Sequence, residues 1–180
     1  MKTVGKRRMA REMALQMLYQ HDLGGSAAAQ IFGVFDRSGY LTGLTGLSGN
    51  GAEDEEEGAK RRRAPMRTPE EGERRRREVD EAFEYARSLV EGTLGHMDEV
   101  NRLIREQADN WRLERMPAVD RNILRLAVYE LLYEADIPKL VVVDEAIELA
   151  KKFSTDQSSR FVNGLLDGLL KRRELPGTLK

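Results

Sequence analysis

Outside one stretch, apolar positions recur at three- and four-residue steps, so the pattern predicts helices and no sheet. Near the front, Met9, Met13 and Met17 form one row and Ala10, Ala14 and Leu18 a second, which together make a single apolar stripe on an amphipathic helix. From Val79 onward, Phe83, Ala86, Val90, Leu94, Met97, Val100 and Ile104 keep the same spacing, and Gly92 and Gly95 predict a break or kink. Between Val119 and Tyr133, apolar residues such as Ile123, Leu126, Ala127 and Leu131 surround most of the circumference, as in a helix at the middle of a bundle. Pro138 ends that helix by disfavouring helical backbone at Ile137. Two more helices follow. One, around residues 143–153, buries Val143, Ala146, Ile147, Ala150 and Phe153, and the last carries the rows Phe161, Leu165, Leu169 and Val162, Leu166, Leu170 behind cap residues Ser154, Thr155 and Asp156. The run of valines at 141–143 is too short to argue for a strand, and the fold class is all-α.

Residues 24–78 break the pattern. Gly and small polar residues crowd "GGSAAAQ" and "SGYLTGLTGLSGNGA", and an acidic run at 53–57 then meets basic runs at 60–63 and 74–77. With few large apolar groups to offset ordering entropy, the stretch is read as a long mobile insertion within a single domain spanning 1–180. From 53 to 78 nine acidic face nine basic side chains, a balanced polyampholyte. Its glycines lack the G-x-x-x-x-G-K-[ST] of a phosphate loop, while "QIFGVF" is the segment in it best suited to a short helix.

Composition narrows the chemistry. Without cysteine there is no disulfide, thiolate metal site or cysteine nucleophile, and the chain is read as cytoplasmic, with no membrane span and no signal-peptide core. Thirty Lys and Arg against 31 Asp and Glu leave a net charge of −1, so nucleic-acid binding must come from a local patch. His21 and His96 lack a partner at metal-ligand spacing, no G-x-S-x-G elbow is present, and Glu145 and Glu148 read as a solvated helix face. These features predict neither an enzyme, a metal site nor a cofactor.

The front of the first helix is more informative. "KRRMAREMALQMLYQHD" sets Arg8, Arg11, Leu15 and Tyr19 on one side, outside the Met and Ala stripe. Residues 1–11 contain Lys2, Lys6, Arg7, Arg8 and Arg11 and no acid, at a helix end that adds its own partial positive charge. Such a stripe suits a phosphate backbone and stacked bases of single-stranded RNA. These residues alone fit a solvated basic arm equally well. A second ridge, Arg121, Arg125, Tyr129 and Tyr133, fits either a partner surface or the edge of a core helix.

The whole pattern resembles the NusB family of bacterial transcription antitermination factors. The resemblance is carried by "RRMAREMALQMLYQHD" and by "ILRLAVYEL", "DEAIELAKKF" and "RFVNGLLD" in that order. It implies an all-α fold of two packed helical sub-bundles. It also implies binding of boxA single-stranded RNA together with the ribosomal protein NusE, within an elongating RNA polymerase complex that holds other Nus factors and transcribes ribosomal RNA operons. Carried over by motif, Lys6, Arg7, Arg8 and Arg11 are expected to meet RNA, as are Gln157, Arg160, Phe161 and Asn163 at the last helix. Tyr19 and Asp120, with Arg121 beside them, are expected to meet NusE. Some family members self-associate through this surface, so a homodimer stays open. Two rivals remain. One is a helical protein-interaction module without specific RNA binding. The other is a relative of the N-terminal domain of ribosomal RNA cytosine methyltransferases, which would need a cofactor domain and a catalytic Cys, a residue this chain does not contain.

Overall fold

The computed structural model of the chain describes residues 3–42, 68–108 and 112–172, all of it helix, turn or loop. Eight α-helices lie within these stretches: α1 (Thr3–Gly24), α2 (Ala28–Val34), α3 (Ser38–Thr42), α4 (Pro69–Gly95), α5 (Met97–Gln107), α6 (Ala118–Tyr133), α7 (Lys139–Phe153) and α8 (Asp156–Lys171), with a 3-10 turn at Leu113–Arg115 before α6. The expected mobile insertion meets this picture in three parts. Residues 28–34 and 38–42 are helical, with Ile31 and Tyr40 buried, and "QIFGV" lies in α2. Residues 43–67, including the acidic run and the first basic run, are outside the described residues. Residues 69–78 are the opening turns of α4, which starts ten residues ahead of its apolar register. It does so because Thr68 and Glu71 close a capping box and Pro69 sits at the first helical position.

Two helical groups share α6. In the first, α1 packs along α4 with α2 and α3 alongside; in the second, α5, α7 and α8 gather around α6, which also reaches α1 and α4. Met13, Met17 and Leu18 of α1, Leu89 and Val90 of α4, Ile123, Leu124 and Leu126 of α6 and Leu166 of α8 are fully buried. Each such side chain contributes roughly 1.5–3 kcal/mol by leaving water. The chain turns at Gly95 and His96, where the sequence predicted a break, and His96 Nδ1 lies 2.9 Å from the Gly92 carbonyl oxygen. Among the described residues no helix is long and apolar enough to cross a membrane.

Gly92 stands at a close approach of two helices. A Cβ on Gly92 would lie 2.0 Å from the Tyr129 hydroxyl oxygen and 2.1 Å from the ring carbon bearing it, where α4 crosses α6. Gly92→Ala should therefore destabilise the protein by about 1–3 kcal/mol despite the better helix propensity of Ala, as read by urea denaturation.

Candidate nucleic-acid interface

The start of α1 carries the cations the sequence singled out, and their surroundings divide them. Arg7 is exposed, and among the described residues it makes no ion pair. Lys6 pairs with Glu81 of α4. Arg8 keeps a side chain 46% exposed while its Nη2 and Nε donate to the two carboxylate oxygens of Glu145 at 2.8 and 3.1 Å. Arg11 is placed differently from the sequence expectation: it is 2% exposed, with Nη2 donating to Glu130 at 2.7 Å and Nε bonded to both Glu130 oxygens at 3.0 Å. Its expected position on an open RNA surface is corrected. Arg11 and Leu15 are both buried, and Arg11 is engaged by Glu130 of α6.

The buried pair is a charged one. Burial works against the Arg11 charge, but the hydrogen bonds and charge of Glu130 outweigh it and raise the guanidinium above its ordinary value. On the other side, burial pushes the Glu130 carboxyl up against the pull of Arg11. The bidentate fork, with all three distances at or below 3.0 Å, is the geometry of guanidinium on carboxylate.

A line of contacts joins this end of α1 to α8. Arg8 meets Glu145 and Glu12 meets Lys152 at 2.8 Å, so α7 runs beside α1 in the same direction. From Glu145 the helix carries the chain about 14 Å, at 1.5 Å per residue, to the turn that opens α8. There the Thr155 side chain accepts from the Ser158 amide and caps the helix. Gln157, Arg160 and Asn163 are exposed on its first turns, and Phe161 is half-buried against the core. Arg8 thus lies beside the middle of α7, and Arg160 lies beyond its C-terminal end.

The residues expected to meet a protein partner lie at the other end of α1. Tyr19 is exposed and lines a cleft of about 440 Å³ with Leu23, Ile31 and Val34. Asp120, expected on an open docking surface, is corrected to a buried position: it is 4% exposed and accepts from Ser154 Oγ at 2.6 Å and Ser158 Oγ at 2.8 Å, tying α6 to the α7–α8 turn. Arg121 is half-buried. It donates to Asp22 at 2.6 Å and to the Leu113 and Met116 carbonyls, while Arg125 donates to the other Asp22 oxygen at 2.9 Å. Burial alone would raise the Asp22 carboxyl, but the hydrogen bonds from Arg125 and Arg121 outweigh it and hold the group below its usual range. The Arg ridge of α6 is therefore turned inward onto α1, whereas Tyr129 and Tyr133 stack on each other and meet the His96 ring at a tilt.

What sequence reasoning missed is acidic. Glu145 was read as part of a solvated face, yet it is 7% exposed and holds Arg8, while Glu148 one turn on is exposed beside Lys151. The available signal was its position, two residues after Val143 and one before Ala146, inside the apolar stripe of α7.

Comparison with known proteins agrees with this architecture. Residues 44–171 match the NusB family. The transcription antitermination protein NusB of Myxococcus xanthus (strain DK1622) is 38% identical over 164 residues, covering 91% of this chain and 94% of that protein. Among solved structures, T. maritima NusB superposes with a TM-score of 0.63 at 31% identity, covering 92% of this chain and 90% of that one. A chain from the crystal structure of the antitermination factors NusB and NusE in complex with dsRNA shares the fold, with a TM-score of 0.63 at 22% identity over 94% of this chain and 99% of that one. A family match over most of the chain, together with a relative of this identity along nearly its full length, establishes that the chain belongs to the NusB family.

Proposed function

We propose that the chain is a cytoplasmic transcription antitermination factor that grips boxA RNA jointly with NusE and works inside the elongating RNA polymerase complex with other Nus factors at ribosomal RNA operons. The observation that carries this reading is the exposure of Arg7 and Arg8 at the start of α1, beside the middle of α7, the helix that leads into the exposed Arg160 on the first turns of α8. Family membership supports the antitermination role, and the relative solved with NusE and dsRNA shows that this fold can be caught on both partners. RNA contacts are assigned to Lys6, Arg7, Arg8, Gln157, Arg160, Phe161 and Asn163. Arg11 acts beneath them by fixing Glu130 and Glu145. The NusE surface is assigned to Tyr19 and the apolar cleft beside it. Asp120 and Arg121 shape that end of the bundle from inside it.

A direct test is the salt dependence of RNA binding. Neutralising phosphates on a single strand gives a slope in log affinity against log salt of about −0.7 per contact. The triple variant Arg7→Ala, Arg8→Ala, Arg160→Ala should lose about two slope units and at least tenfold in affinity while keeping its helical circular dichroism. An unchanged slope in a folded variant removes these residues from the interface.

A further inference from the structure

The cations at the start of α1 are not all free for a ligand, and the manner of their restraint is specific. Arg8 is pinned by Glu145, whose side chain is 9% exposed, while Arg8 itself remains 46% exposed. A buried carboxylate that loses its only cation is strongly disfavoured, so an isolated pair of this kind would resist exchange with a phosphate. Glu145 has a second cation within reach. Arg11 Nη1 lies 3.8 Å from Glu145 Oε2, too long for a hydrogen bond, while Arg11 Nε and Nη2 are the atoms engaged by Glu130. A guanidinium carries five N–H donors in a fixed fork, so Nη1 is available to tighten on Glu145 by a sub-ångström shift.

We propose that Glu145 is a positioning residue of the RNA face, holding Arg8 in the free protein and passing to Arg11 when an RNA phosphate takes the Arg8 fork. This rests on the RNA-binding reading above. Carboxylate and phosphate present the same bidentate acceptor geometry to arginine, so a phosphate that docks on the Nε–Nη2 edge of Arg8 must displace Glu145 from it. The buried Arg11–Glu130 pair serves as the anchor that keeps Glu145 compensated after exchange. The N-terminal patch is thereby largely neutralised until a ligand with phosphates spaced for Arg7 and Arg8 arrives, which disfavours polyanions that can offer only a weak, scattered charge.

The test is fluorescence anisotropy of a short boxA-like RNA oligonucleotide against the full chain and four variants: Glu145→Gln, Arg8→Ala, their combination, and Glu148→Gln. Glu145→Gln removes the competitor while keeping its volume, and Arg11 retains Glu130. It should tighten RNA about three- to fivefold at low salt, the range for a partly exposed ion pair. In the Arg8→Ala background the same change should gain nothing. Glu148→Gln removes an equal charge from the same helix without touching an Arg8 hydrogen bond, and should gain less. A gain that survives Arg8→Ala, or equal gains from both glutamates, overturns the proposal in favour of bulk charge. Unchanged affinity in Glu145→Gln beside a wild type that binds overturns the exchange alone, whereas a wild type that binds no RNA overturns the reading beneath it. Should Glu145→Gln not fold, the native chain decides by NMR: the Arg8 and Arg11 Nε–H resonances should shift together on RNA saturation, and an unmoved Arg8 resonance would sink the idea.

Discussion

Glu130→Ala should lower the stability of the fold by about 3–5 kcal/mol, the cost of leaving a buried arginine without its carboxylate. Arg11 and Glu130 are each 2% exposed, and three hydrogen bonds run between them. The nearest other carboxylate, Glu145 at 3.8 Å, already serves Arg8. Domains of this size hold only about 5–15 kcal/mol in total, so the variant should show a large drop in its urea midpoint. The double replacement Arg11→Met, Glu130→Leu removes both charges and should recover most of the loss. Equal instability in single and double variants would show that the pair matters through its shape and not through its charge.

Substituting Asp22 should have the second largest effect, about 2–3 kcal/mol for Asp22→Asn, and its pH dependence carries a sign. Asp22 closes the lower end of the same α1–α6 seam, accepting from Arg121, Arg125 and Asn122. Because its folded pKa is depressed, its contribution is fully present above the unfolded aspartate value of about 3.9 and is lost as pH falls through the folded one. Wild-type stability should therefore fall more steeply than that of Asp22→Asn below about pH 4, and the two curves should converge in acid. Parallel curves from neutral pH down to acid would show that Asp22 is not held below its ordinary value.

These two pairs also explain which parts of the molecule were legible in the sequence. The α1 stripe, the α6 helix apolar around most of its circumference and the helix break at Gly95 follow from periodicity and local chemistry, which are properties of neighbouring residues. Arg11 was misplaced because a helical projection treats arginine as a surface residue. Its partner Glu130 stands 119 positions away, beyond any local pattern. The burial of Asp120 was hidden the same way, its serine partners being supplied by the α7–α8 turn. The start of α4 was legible but passed over: "TPEE" spells its capping box, and the charged run behind it hid the helix from a search for apolar spacing. Arg7, Arg8, Arg160 and Tyr19 were expected to face a partner, and the structure places all four exposed. The carboxylate that holds Arg8 had to await the fold.

The most direct measurement of the RNA grip is fluorescence anisotropy of a boxA-like RNA and a scrambled RNA against the full chain, each with and without NusE, across a salt series. Salt-sensitive binding that prefers boxA and tightens with NusE is the expected result. Equal affinity for both RNAs, unmoved by NusE, would contradict it and leave a NusB-family fold whose cations serve another partner.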